Sequence, residues 1–249
     1  MCVSCGCSPL ARSRVYEALA AGFHPPDPAT ADFLASRLPG LPECLERLGD
    51  HASAARLAAL PAVGGVPSLA GWQEEFLRVF GHGISKECPP YEGEYGQAHI
   101  FQQSQAMADV AGFYRAFGLQ IAPSFKDRLD HISVELEFMQ FLCLKEAHGL
   151  AARHSADHLE LCREAQRKFL DDHLDAWVPT FVRKLREKAG AGFYGQWGEL
   201  TDAFITAEVQ RLGVRHRERA SDLTVGLATG AASDECAGPV PETIGGGIS

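Results

Sequence analysis

The feature that most constrains this 249-residue chain is a period: apolar residues recur every three to four positions, in blocks closed by proline and glycine, while alternating strand patterns are nearly absent. Such a period belongs to helices that bury one face. Pro9 suits the first turn of a helix over Ser8–Gly22, with Val15, Leu19 and Phe23 on one side. Short helices are expected over Ala31–Leu38 and Pro42–Leu48, parted by Pro39 and Gly40. Ser68 is placed to cap a helix carrying Leu69, Trp72, Phe76, Val79 and Phe80, which stops at Gly81–Gly83. Pro89 and Pro90 hold His82–Gly96 out of any helix. Longer helices follow over Gln97–Phe117 and Phe125–His148. Another starts after Ser155 and either runs to Leu174 or breaks near Trp177 and Pro179; the last spans Trp197–Leu212. The expected fold is all-α, a compact multi-helix bundle.

Three regions follow: a Cys-rich segment at 1–8, a helical domain at 9–213, and a tail at 214–249 whose Gly, Ala, Ser and Thr leave little to bury, so that it is expected to be disordered. The formal net charge of -9 disfavours nucleic acid and anionic membranes and favours basic partners. The longest uncharged stretch, Leu57–Gln73, is interrupted by Pro61, Gly64, Gly65 and Pro67, so no membrane insertion is expected. Eight Cys without a secretory signal ahead of them point to a reducing, cytoplasmic setting with free or metal-bound thiols.

Catalytic patterns are weak. No Glu precedes a His by three residues, as a di-iron bundle requires. Gly190, Gly192 and Gly195 spell a dinucleotide fingerprint, but they follow a charged helical stretch rather than a strand, and they read as a flexible connector. Phosphate loops and nucleophile elbows are missing, and no catalytic residue is expected. Cys2, Cys5 and Cys7 have a spacing that suits zinc or an iron–sulfur group, with the fourth ligand supplied only through the fold, by Cys44 or Cys88; a helical metal or redox protein is the alternative this cluster offers. Otherwise no cofactor is implied.

Three segments remain to be placed: Trp72-Gln-Glu-Glu-Phe76-Leu-Arg-Val-Phe80, Cys88-Pro-Pro-Tyr-Glu-Gly-Glu-Tyr-Gly96, and Asp130-His-Ile-Ser-Val-Glu-Leu-Glu-Phe-Met139. In this order they resemble the TorD/DmsD/NarJ family of redox-enzyme maturation chaperones, over roughly residues 10–212. Phe169-Leu-Asp-Asp-His173-Leu-Asp-Ala-Trp177-Val-Pro179-Thr-Phe181 is a further echo. The resemblance implies an all-α cytoplasmic chaperone that is not an enzyme. Its partner would be the apo catalytic subunit of a molybdopterin-containing oxidoreductase, its twin-arginine signal peptide, or both, held until cofactor insertion. It further implies client contacts at Trp72, Phe76 and Phe80, at Pro90, Tyr91, Glu92 and Tyr95, and at Asp130, His131 and Glu135. Gly93 and Glu94, between Glu92 and Tyr95, depart from the commoner pattern of the family.

The residues support a parallel reading. A peptide with two arginines and an apolar stretch needs carboxylates beside a greasy groove, and Glu92, Glu94, Asp130 and Glu135 offer the charge. Trp72, Phe76 and Tyr91 offer the groove. The Pro89–Tyr95 loop is expected to fold against the start of the Asp130 helix. The spacing of Phe76, Phe80, Ile132 and Met139 equally marks a buried stripe.

Overall fold

The computed structural model describes residues 7–60, 67–81, 87–95, 100–120 and 127–214. Among them are ten α-helices: α1 (Cys7–Phe23), α2 (Pro28–Arg37), α3 (Leu41–Leu48), α4 (His51–Ala58), α5 (Leu69–Phe80), α6 (Ile100–Ala116), α7 (Ile132–Ala151), α8 (Ala156–Phe169), α9 (Asp175–Ala189) and α10 (Phe193–Leu212). The only extended pairing among the described residues is an isolated antiparallel bridge between Tyr91 and His131. The all-α expectation holds. Cys2, Cys5 and the tail from residue 215 lie outside the described residues, while α1 already includes Cys7.

Local chemistry sets most helix ends. Asp27, Asp50, Ser68 and Ser155 each turn a side-chain oxygen onto a backbone N–H of the first turn that follows. Gly49 and Gly213 close α3 and α10 in the left-handed conformation. Three expectations change. A helix not foreseen, α4, follows the Asp50 cap. The helix expected from Phe125 begins at Ile132, because His131 is extended and caps it. The chain does not break at Pro179: α8 passes through a π turn, Leu170–Leu174, directly into α9, which contains the proline. The missing donor at Pro179 falls just after the ladder changes spacing, so the helical course survives it.

The core forms around α1, which is buried on several faces through Val15, Tyr16, Ala18, Leu19, Ala20, Ala21 and Phe23. It packs on α7, α3 and α2, while α9 pairs with α10 and α8 with α7. Gly22 lets the Trp197 indole approach: a Cβ there would lie 2.2 Å from Nε1, which donates to the Leu19 carbonyl at 3.2 Å. A buried ionic network ties four helices together. Arg12 donates to Glu208 at 2.6 Å and lies 3.5 Å from Glu146, which accepts from Gln166 at 2.9 Å and Arg163 at 2.7 Å. No helix among the described residues is long and apolar enough to cross a membrane.

Candidate functional site

The segment Cys88–Tyr95 lies on the start of α7, as expected from the sequence. Pro90 and Asp130 lend their carbonyls to Ile132 N and Glu92 N, both at 2.9 Å. The Asp130 carboxylate, wholly buried, accepts from Gly93 N at 2.9 Å and receives both prongs of the Arg128 guanidinium, at 2.9 and 2.7 Å. The third arm of Arg128 reaches Glu94 at 2.6 Å, and its Cζ lies over the Tyr91 ring, 4.6 Å from the centroid. Burial opposes the charge on Arg128, but the bonds to Asp130 and Glu94 outweigh it and raise the pKa. Tyr91 donates to Asp127 at 3.0 Å; burial and that carboxylate push the phenol up to about 12.

His131 contributes as a cap. Its Nδ1 accepts from Ser133 N at 3.1 Å and lies 2.7 Å from Ser133 Oγ, so the ring is neutral with its proton on Nε2. Burial lowers its pKa to about 4, against the pull of Asp127. Its ring meets Tyr91 edge-on at 5.2 Å.

Beneath this surface, Glu92 accepts from His173 Nδ1 at 3.0 Å to each oxygen, and Glu135 accepts from the Trp177 indole at 3.0 Å. Burial raises the pKa of Glu135 well above the ordinary value, and the nearby Glu92 carboxylate adds to it, so Glu135 keeps its proton. Tyr95 donates to the Pro89 carbonyl at 2.8 Å and its ring meets that of Trp177 at 5.3 Å.

Of the residues singled out from the sequence, Pro90, Tyr91, Glu92, Tyr95, Asp130, His131 and Glu135 therefore come together. Trp72, Phe76 and Phe80 form a separate aromatic group with Phe193 and Tyr194, where Trp72 donates to the Tyr194 hydroxyl at 2.8 Å. The carboxylates also differ from expectation: each already has a partner inside the protein. Arg128 and Glu75 were not named as site residues, and His173 was named only within the Phe169–Phe181 echo. Arg128 was legible as a cation two residues before Asp130. Glu75 caps α10 from α5, accepting from Phe193 N and Tyr194 N at 3.0 and 3.1 Å. That contact fixes the start of α10, so that Gly190–Gly192 alone connect α9 to α10 and Gly195 lies in the first turn of α10. Gly190 turns at φ +62, and a Cβ on Gly192 or Gly195 would strike Glu75 or the Gly190 carbonyl.

No group of three or more His, Cys, Asp or Glu among the described residues is arranged to hold a metal. Cys44, Cys88, Cys143 and Cys162 are buried, and none of them is in a disulfide bond.

Residues 40–183 match the family model described as nitrate reductase delta subunit. The chain is 29% identical over 212 residues to a perchlorate reductase assembly chaperone protein of Dechloromonas aromatica, covering 82% of this chain and 90% of that one. It is 36% identical over 146 residues to a selenate reductase assembly chaperone protein of Thauera selenatis, covering 57% and 70%. It is 27% identical over 138 residues to a chaperone protein TorD of Vibrio parahaemolyticus, covering 54% and 59%.

Proposed function

Since the chain belongs to the nitrate reductase delta subunit family, we propose that it is an assembly chaperone for a molybdopterin-containing oxidoreductase. It binds the apo catalytic subunit, its leader peptide, or both, in the cytoplasm, and it acts by binding rather than turnover. Similarity to proteins named for perchlorate and selenate reductase assembly supports an oxyanion-reducing client.

The observation that carries the site is the way the Pro89–Tyr95 segment and the Asp130–Glu135 helix start are locked together around a guanidinium. Arg128 stands over the Tyr91 ring, forked on Asp130 and bonded to Glu94. This surface is built to hold an arginine plane, and it already holds one of its own. The client's arginine is therefore received at the outer edge, by exposed Asp127, by Glu94 and by the half-buried Tyr91. Asp130, Glu92 and Glu135 shape that edge from beneath. Trp72 and Phe80 serve packing of α5 on α10.

The test is a pull-down from the anaerobically grown native host with the tagged full chain. Recovery of a molybdenum-enzyme catalytic subunit is expected, and its loss by tenfold or more in Tyr91→Ala/Asp127→Ala, with the unfolding midpoint unchanged. Repeated failure to recover such a subunit sinks the chaperone reading. Recovery undiminished in the double variant sinks the site. A stoichiometric metal in the purified protein, lost on replacing Cys2, Cys5 and Cys7, would instead support the metal-protein alternative.

A further inference from the structure

Phe169, His173, Trp177 and Phe181 are spaced four residues apart, and all four are buried. In an unbroken α-helix of 100° per residue, such a row drifts about 120° around the axis over its length. The π turn at Leu170–Leu174 changes this. With roughly 4.4 residues in that turn, the drift falls to roughly 30°, so the row keeps to one face. That face looks onto the candidate site. Phe169 packs on Phe113 and Phe138 at 5.3 and 4.7 Å, His173 holds Glu92, Trp177 holds Glu135 and meets Tyr95, and Phe181 meets Tyr95 at 6.1 Å.

Two further facts mark His173. It is buried against Phe113 and Phe169, with ring centroids at 5.4 and 4.7 Å, a setting that an apolar side chain would fill at least as well. Its Nε2 is buried with no hydrogen-bond partner among the described residues, so its polar use there is directed at Glu92. A buried hydrogen-bonded polar pair adds little stability over an apolar pair of like shape; what it supplies is a defined geometry. Here it joins a non-helical segment, through a contact 81 residues away in the chain, to a turn whose register is itself irregular.

We infer that His173, presented by the π turn, is a positioning residue: it grips Glu92 and thereby holds the Pro89–Tyr95 segment in the conformation that receives the client. The part concerning the client rests on the chaperone reading above; the grip on the segment does not.

The experiment compares full-length wild type with His173→Leu, His173→Asn and Glu92→Gln/His173→Leu. Asn keeps a donor near the position of Nδ1, and the double variant leaves no buried carboxyl without its partner should His173→Leu fail to fold. Amide hydrogen exchange is read at Glu92, Gly93, Tyr95 and Ile132, whose N–H groups bond within this locked unit. In His173→Leu or the double variant these amides are expected to exchange at least about tenfold faster while those of α10 stay unchanged, and His173→Asn to remain within about threefold of wild type. Affinity for the client subunit or its leader peptide should follow the same order. Unchanged exchange at these amides, or equal acceleration throughout the molecule, overturns the grip. Fast exchange with full client affinity overturns its role in positioning. A wild type that binds no molybdenum-enzyme subunit refutes the chaperone reading, and exchange then still decides whether His173 holds the segment.

Discussion

At the scale of single residues, the site is set by two groups whose ionisation the fold pushes away from ordinary values. His131 must be neutral to accept from Ser133 N, and burial lowers its pKa from 6.5 to about 4. The folded state therefore binds fewer protons there than the unfolded chain. The stability this gives is present above pH 6.5 and is lost as pH falls through about 4, amounting to on the order of 3 kcal/mol. His131→Asn keeps a capping oxygen without a titrating ring. Urea unfolding from pH 7 to 4 should show wild type losing stability relative to this variant. Glu135 has the opposite sign. Its raised pKa means that the folded state keeps a proton which the unfolded chain releases near pH 4.5, so stability declines as pH rises from there through the elevated value. Glu135→Gln retains an acceptor for Trp177 but never ionises. Its unfolding midpoint should gain on wild type steadily from pH 5 to 8, and a constant difference would contradict a proton held at Glu135.

At the scale of elements, helix existence was legible wherever a cap or breaker sat beside a periodic run, as at Ser68, Ser155 and Gly81. The start of α7 was misplaced because Pro123 and Ser124 carry the local signal for a helix start, whereas Leu129 and Asp130 form a turn and the bridge to Tyr91 holds His131 extended immediately before Ile132. The π turn was not legible either: period reading assumes one pitch, and a row at every fourth residue looks like an ordinary helix face. Close helix packing shows the same division. Gly22 reads as a helix terminator, yet it lies inside α1 and admits the Trp197 indole. Gly22→Ala would gain up to about 1 kcal/mol in helix propensity. It would nevertheless displace the indole from the Leu19 carbonyl, for a net loss of about 1–3 kcal/mol. Thermal unfolding should fall by several degrees, and a rise would show that Trp197 has room to move.

At the scale of the whole molecule, four helices distant in sequence are joined by the Arg12, Glu146, Gln166 and Glu208 network. Arg12→Met takes one of two cations from each of Glu146 and Glu208, leaving Arg163 and Arg211, and should lower stability by up to about 3 kcal/mol, measured by denaturant unfolding. Adding Glu208→Gln should recover part of that loss; no recovery would place the effect in packing instead. The sequence alone was enough for the helical class, the helix starts at Ser68 and Ser155 and the stop at Gly81, the family resemblance and the adjacency of the Pro90 segment to the Asp130 helix start, because these rest on local chemistry or on short motifs. Only the tertiary structure decided which carboxylates are already taken. A helical period tells which side of a residue is buried, but it does not name what stands opposite. Glu92 meets His173, Glu135 meets Trp177, and Asp130 meets Arg128 only after distant segments are brought together. Burial and pairing then determine whether such a side chain holds the fold or remains available to a partner.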